Sequence, residues 1–307
     1  MSIINKIFAI IVTYNGKQWY DQCFGSLRTS EIPINVVVID NASSDDTVDY
    51  IKQNYPEVHL IVSDRNLGFG QANNKGMRYA LDNGTDYVFL LNQDAWIEPN
   101  TIKELVDAHK KQPEYGVLSP IHLNAQKTTI EKGLIVYLST TRHTPNELIS
   151  DFYLGLKKEI YDTNYVNAAA WLLPGKTLET VGGFDPLFYH YGEDDNYLSR
   201  VFYHGFKVGI VPKVTICHDT ERRVNVSTEA SMVFDKWLLQ RSSDLLYSDN
   251  HVDTMIAEYC KLAFTKFLTF HWTTFNENYS NARFLLKNKK RIMKSRTMNK
   301  QIGEIWL

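Results

Sequence analysis

The chain has 307 residues, 44% of them hydrophobic and 22% charged, a balance that excludes disorder and leaves ample length to bury a core. Lysine plus arginine (33) against aspartate plus glutamate (35) gives a formal charge of -2, so a chain-wide basic field for nucleic acid is excluded. Cys23, Cys217 and Cys260 lie far apart with no C-x-x-C, which argues against a disulfide framework or a structural zinc cluster and for a reducing compartment.

No stretch approaches the roughly 20 apolar residues of a membrane span. The run 7–12 is too short for a signal-peptide core, so a cytoplasmic, non-spanning protein is expected.

Four short apolar runs, Ile7–Val12, Asn35–Ile39, His59–Val62 and Tyr87–Leu91, read as strands. Between them, Ser43-Ser44-Asp45-Asp46 offers capping and early acidic residues for a helix carrying Val48 and Ile51. Gly70–Leu81 places Ala72, Gly76, Met77, Ala80 and Leu81 on one helical side. Strands alternating with helices predict βαβ units and a parallel sheet, buried on both faces. A helix is expected over Pro99–Lys111, then an irregular acceptor-side region over 120–165. Strands at Ala168–Leu173 and Lys207–Val211 follow, and helices at Ser227–Tyr247, His251–Trp272 and Tyr279–Met298.

Ligands of such sheets bind beyond the carboxyl ends of the strands. The four exits read Thr13-Tyr14-Asn15, Asp40-Asn41, Asp64-Arg65-Asn66 and Asn92-Gln93-Asp94, all polar and three with a carboxylate. Asn73 stands where a G-x-G-x-x-G fingerprint after Gly68 needs glycine, so the dinucleotide reading fails. A Walker A loop and a G-x-S-x-G elbow are absent. What remains is acidic. Asp94 at a strand exit can hold a hard divalent cation with phosphate oxygens. Glu193-Asp194-Asp195 follows an aromatic segment that can desolvate an acid and raise its pKa towards that of a general base. The lone His218 by itself reads more readily as a structural residue than as a ligand.

As a set, Ala9-Ile10-Ile11-Val12-Thr13-Tyr14-Asn15, Val38-Ile39-Asp40-Asn41-Ala42-Ser43, the segment from Asn66 to Gly76, Leu91-Asn92-Gln93-Asp94, Gly182-Gly183-Phe184-Asp185 and Glu193-Asp194 resemble the bacterial family 2 glycosyltransferases of the GT-A fold, in their rhamnosyltransferase-like and galactofuranosyltransferase-like branch. The resemblance covers about residues 5 to 220. It implies a GT-A domain over 1–225, with a nucleotide-sugar half to about 115 and an acceptor half over 116–225, followed by a helical region over 226–307. It implies that Thr13, Tyr14, Asn15, Asp40, Asn66, Gly68, Asn73, Asn92 and Gln93 meet a nucleotide-diphosphate sugar, dTDP- or UDP-linked. Asp94 and His218 would hold Mg²⁺ or Mn²⁺, although Asn92 replaces the first acid of the family's D-x-D. Asp194 would be the base and Glu193 its neighbour, with Asn196 where relatives carry another acid. Trp171 and Asp185 are expected on the acceptor side.

The chemistry expected is inverting transfer to a glycan hydroxyl, the acceptor lipid-linked as in relatives. A binding module without turnover and a nucleotidyltransferase are the competing readings; the second lacks a basic glycine-rich pyrophosphate loop. Over 283–300, Arg283, Lys287, Lys289, Lys290, Arg291, Lys294, Arg296 and Lys300 interleave with apolar residues and no acid. Such a helix suits the inner face of the cell membrane, or else a solvated helix packed on its own domain or in a homodimer contact through the C-terminal helices.

Overall fold

The computed structural model describes residues 5–139, 147–222 and 230–307. The first part runs β1 (Ile7–Thr13), α1 (Lys17–Arg28), β2 (Asn35–Asp40), α2 (Thr47–Asn54), β3 (His59–Val62), α3 (Gly68–Asp82) and β4 (Tyr87–Asn92). It continues with β5 (Ala95–Ile97), α4 (Thr101–Lys111), β6 (Tyr115–Leu123), α5 (Lys132–Ser139), α6 (Glu147–Leu154) and β7 (Tyr161–Asp162). Then come β8 (Ala170–Pro174), α7 (Gly175–Val181), α8 (Glu193–Tyr203), β9 (Lys207–His218), α9 (Ala230–Ser243), α10 (His251–Leu268) and α11 (Trp272–Asn299).

The strands form one sheet in the order β3-β2-β1-β4-β8-β6-β9-β5, with β7 on β9. β1 to β4 are mutually parallel where they pair, as their continuous apolar runs require. The sheet is mixed beyond them, because β8 pairs antiparallel with β4 and with β6. That reversal matters for the site: the start of β8 lies at the carboxyl end of β4, and the Asn92 N–H donates to the Ala169 carbonyl at 2.9 Å. The region expected to be irregular opens with the buried nine-residue β6, parallel to β9. Its Ser-Pro pair and β-bulge interrupt the alternation that marks a strand in sequence.

Two cores sandwich the sheet. Tyr20, Phe24, Ile51 and Leu105 of α1, α2 and α4 fill one face, and Ala72, Met77, Leu178 and Tyr197 of α3, α7 and α8 fill the other. A third, small core of Leu238, Val252, Met255, Leu285 and Ile292 holds α9, α10 and α11 together. These helices are tied back to the sheet domain. Asp185 accepts from Asn299 Nδ2 at 2.7 Å and Ser295 Oγ at 2.5 Å. The Gly183 N–H donates to the Ile305 carbonyl at 2.8 Å, and Asn74 Nδ2 donates to the carbonyls of Phe184 and Trp306 at 2.8 and 3.0 Å.

α11 begins at Trp272, about two turns before the expected start at Tyr279. Its basic residues do not share one environment. Arg296 is buried and donates to the carbonyls of Asp244, Tyr247 and Ser248 at 2.5, 2.8 and 2.9 Å. Lys289 and Lys300 pair with Asp253 and Asp249.

Candidate active site

Two exits are folded into one another. Thr13 Oγ1 donates to Asp40 Oδ1 at 3.2 Å, and the Ser43 hydroxyl and N–H donate to the same carboxylate at 2.6 and 3.1 Å. Asn15 (φ 47°) and Ala42 (φ 64°) adopt left-handed backbone, a strain at Ala42 that the Ser43–Asp40 bonds hold in place. Gln93 locks the first exit from the side, accepting from the Tyr14 N–H at 2.9 Å and donating to its carbonyl at 3.2 Å. Thr13 and Asp40 thus lie beneath the surface, and Tyr14 and Asn15 are the exposed members of this edge.

The α3 entry is consumed internally. Asn66 Oδ1 accepts from the Asn41 amide at 3.0 Å and from the Gly68 N–H at 2.9 Å. Gly68 (φ 77°) tolerates no Cβ, which would meet the Tyr189 carbonyl at 1.9 Å, so the entry is pressed against the loop leading to α8. Asn73 is buried, its amide on the Phe69 carbonyl of its own helix. Both residues expected to meet the nucleotide are thus engaged within the fold, Asn66 through its side-chain oxygen and Asn73 through its amide nitrogen.

Acidic and imidazole groups converge at the end of β4. His218 Nε2 lies 3.5 Å from Asp94 Oδ1 and 3.5 Å from the Asn92 amide nitrogen, and both ionisable groups are buried. The β6–β9 register sets His122 opposite Ile216, so its ring faces His218 edge-on at 6.0 Å. Among the described residues, donor atoms of His122, Glu131 and His218 lie within 4.8 Å of one another. Burial, then His218, pushes the His122 pKa down to about 3, so this imidazole is neutral, the form that binds metals. Glu131 also accepts the N–H groups of Gly133 and Leu134, both at 2.9 Å, which fixes its carboxylate at the start of α5. Two imidazoles and the Glu131 carboxylate, with Asp94 adjoining them through His218, suit a divalent cation such as Mn²⁺. The fit is chemically sound even with asparagine at position 92.

The second acidic group stands at the N-terminus of α8, where the helix dipole favours negative charge. Gly192 (φ 96°) turns the chain into it. Asp194, half-buried, accepts the Ala168 N–H at 3.0 Å. That bond is one residue from the Ala169 carbonyl holding Asn92, so β8 brings Asp194 and the β4 exit to one edge. Burial and then the neighbouring Glu193 raise the Asp194 carboxyl well above the usual range. Glu193 is raised chiefly by burial, and its Oε2 is buried without a hydrogen-bond partner. Tyr165, edge to face with Tyr137 at 4.6 Å, has its hydroxyl pushed up by burial and then by Asp194.

Two residues expected on the acceptor side, Trp171 and Asp185, are buried. Trp171 is fully buried between Phe184 and Tyr197, because β8 is central and faces the core. Asp185 is buried and bonded to α11 and to the Leu187 N–H at 2.8 Å. Both are built into the scaffold. Sequence reasoning missed His122, Glu131, Tyr137, Tyr165 and Asp219. Asp219 is buried, accepts from Trp19 Nε1 at 3.0 Å, and donates its N–H to the Asp94 carbonyl at 2.9 Å. A carboxylate directly after His218 was the available signal for the last.

A family model described as "Glycosyl transferase family 2" matches residues 8–164. An N-acetylglucosaminyl-diphospho-decaprenol L-rhamnosyltransferase of Mycobacterium tuberculosis (strain ATCC 25618 / H37Rv) is 25% identical over 229 residues, 68% of this chain and 74% of that one. The dTDP-rhamnosyl transferase RfbF of Shigella flexneri is 24% identical over 260 residues, 82% of this chain and 83% of its own. Among solved structures, GalNAc-T7 with UDP, GalNAc and Mn²⁺ superposes with a TM-score of 0.60 at 17% identity, over 78% of this chain and 48% of that chain. S. aureus TarS 1-349 with UDP gives 0.57 at 14% identity, over 96% and 90%. The fold is GT-A.

Proposed function

Because the chain belongs to glycosyl transferase family 2, we propose that it is a metal-dependent inverting glycosyltransferase, using a dTDP- or UDP-linked sugar, rhamnosyl or similar, and a hydroxyl of a growing cell-surface glycan. The observation that carries this reading is the meeting of Asn92-Gln93-Asp94, His218 and Asp194 at one sheet edge through the start of β8. The names of the Mycobacterium and Shigella relatives favour rhamnose and, for the first, an acceptor on a lipid diphosphate. Such an acceptor places the work at the inner face of the cell membrane.

The reaction needs a base and a stabilised leaving group. The acceptor oxygen bonds to the anomeric carbon as that carbon's bond to the diphosphate oxygen breaks. Its proton passes to Asp194, whose carboxyl is raised well above the usual range by burial and so makes a stronger base. The Ala168 N–H holds Oδ2 and leaves Oδ1 for that proton. Glu193, beside it at the start of α8, adds its charge to the burial that raises the Asp194 carboxyl. Asp94 and His218, with His122 and Glu131 beside them, would hold Mg²⁺ or Mn²⁺, which when bound neutralises charge on the departing diphosphate. Tyr14 and Asn15 lie over the Thr13–Asp40 floor where the nucleobase and ribose would rest. A single base on one face calls for one displacement and hence inversion.

The test is incubation of purified protein with UDP-, dTDP- and GDP-sugars plus Mn²⁺, reading nucleotide release by donor hydrolysis. Release from one donor class supports the reading. Failure across the panel with nucleotide binding intact would favour a binding module without turnover.

A further inference from the structure

The hairpin joining α10 to α11 presents an aromatic tip that the folded domain leaves uncovered. Phe264, Phe267, Phe270, Trp272 and Tyr279 are all exposed, Phe270 by 76%, and the Trp272 ring lies 5.6 Å from that of Phe267 and 6.3 Å from that of Phe270. Phe270 sits in left-handed backbone (φ 58°) at the turn. That conformation ends α10, with the His271 N–H on the Lys266 carbonyl at 3.0 Å, and it leaves the Phe270 ring at the outer end of the hairpin.

α11 continues the tip as a stripe. Ala282, Leu285, Ile292, Ser295, Arg296 and Asn299 recur at helical spacing and are buried. On the other side, Trp272, Tyr279 and Leu286 lie at seven-residue intervals in line with Arg283, Lys287, Lys290 and Lys294. These four cations are exposed and form no ion pair with a described residue, unlike Lys289 and Lys300. Aromatic at one end and cationic along its length, this surface complements an apolar layer beneath anionic headgroups. Among the described residues no helix is long and apolar enough to cross a membrane, so the element would lie in the interface.

We propose that the α10–α11 hairpin docks the protein on an anionic lipid bilayer. The aromatic tip enters the headgroup–acyl boundary and the α11 stripe rests on the surface charge. The inference draws on this surface alone, and its failure would leave the transferase reading untouched.

The test is flotation of the full-length protein with phosphatidylglycerol-rich or phosphatidylcholine vesicles, at low and high salt. The protein should float with the first and be released by salt. A tip variant, Phe267→Ser with Phe270→Ser and Trp272→Ser, should lose binding at least tenfold. A stripe variant, Lys287→Gln with Lys290→Gln and Lys294→Gln, should lose about 100-fold, at the usual contribution of each basic residue near an anionic surface. Both variants should keep wild-type donor hydrolysis and Tm, which separates lost docking from lost folding. Wild-type protein that stays unbound at low salt, or a tip variant that floats as well as wild type, would overturn the proposal. So would sedimentation velocity showing a dimer that the tip variant splits, since the occupant would then be a second copy.

Discussion

Asp194 and Glu193 set the pH behaviour of the site. Asp194→Asn keeps size and shape but cannot accept a proton, so donor binding measured by calorimetry should survive while transfer falls by about 10²–10⁴-fold. Glu193→Gln should be milder; near-normal turnover in Asp194→Asn with loss in Glu193→Gln would swap the roles. Both folded carboxyls are raised, so the stability they contribute is full below the unfolded carboxylate range and is lost as pH rises through the raised values. Asp194→Asn should therefore raise Tm at pH 8, the gain shrinking towards pH 4, and wild-type transfer should rise with pH as Asp194 ionises. Calorimetric titration with Mn²⁺ tests the other cluster. Asp94→Asn should abolish binding, and His122→Gln or His218→Ala should each weaken it by about 10- to 100-fold. Unchanged affinity in all three would remove the metal from this edge. Asp94 and His218 were legible in sequence because a strand exit and a motif flag them. His122 was not, since it reaches His218 only through the β6–β9 register, and Glu131 reads locally as a helix cap.

At the scale of elements, β1 to β4 were legible because an apolar run buried on both faces has one explanation. The reversed β8 was not, since antiparallel pairing to β4 depends on where a long excursion returns the chain. Asp185 shows the same limit. Its place in Gly182-Gly183-Phe184-Asp185 suggested acceptor contact, yet Ser295 and Asn299 claim it from α11. Asp185→Ala should cost about 1–3 kcal/mol in urea unfolding, because two buried donors lose their acceptor. A negligible loss would mean that α11 is held by its small core alone.

At the scale of the whole molecule, any ligand that binds only the folded chain stabilises it by mass action. With Mn²⁺ present, the preferred nucleotide-sugar at 100 times its Kd should add about 2.7 kcal/mol to stability, seen as a rise in Tm that EDTA removes. Equal shifts from every base would argue against a specific nucleotide pocket. Removing residues 301–307 should lower Tm and turnover together, because Arg78 pairs with Glu304 and the Phe184 loop loses Ile305 and Trp306. Intact turnover after that truncation would show the strap to be dispensable.

The strap also orders events in time. Residues 303–306 seat the 180–185 loop and α3, which leave the ribosome before α9, α10 and α11 are even synthesised. The nucleotide half can condense early, since its strands pair with near neighbours in the chain. The loop ahead of α8 must wait for the strap. The last turns of α11 and the strap emerge together, so the 180–185 loop is braced in the same late step that seats Ser295 and Asn299 on Asp185.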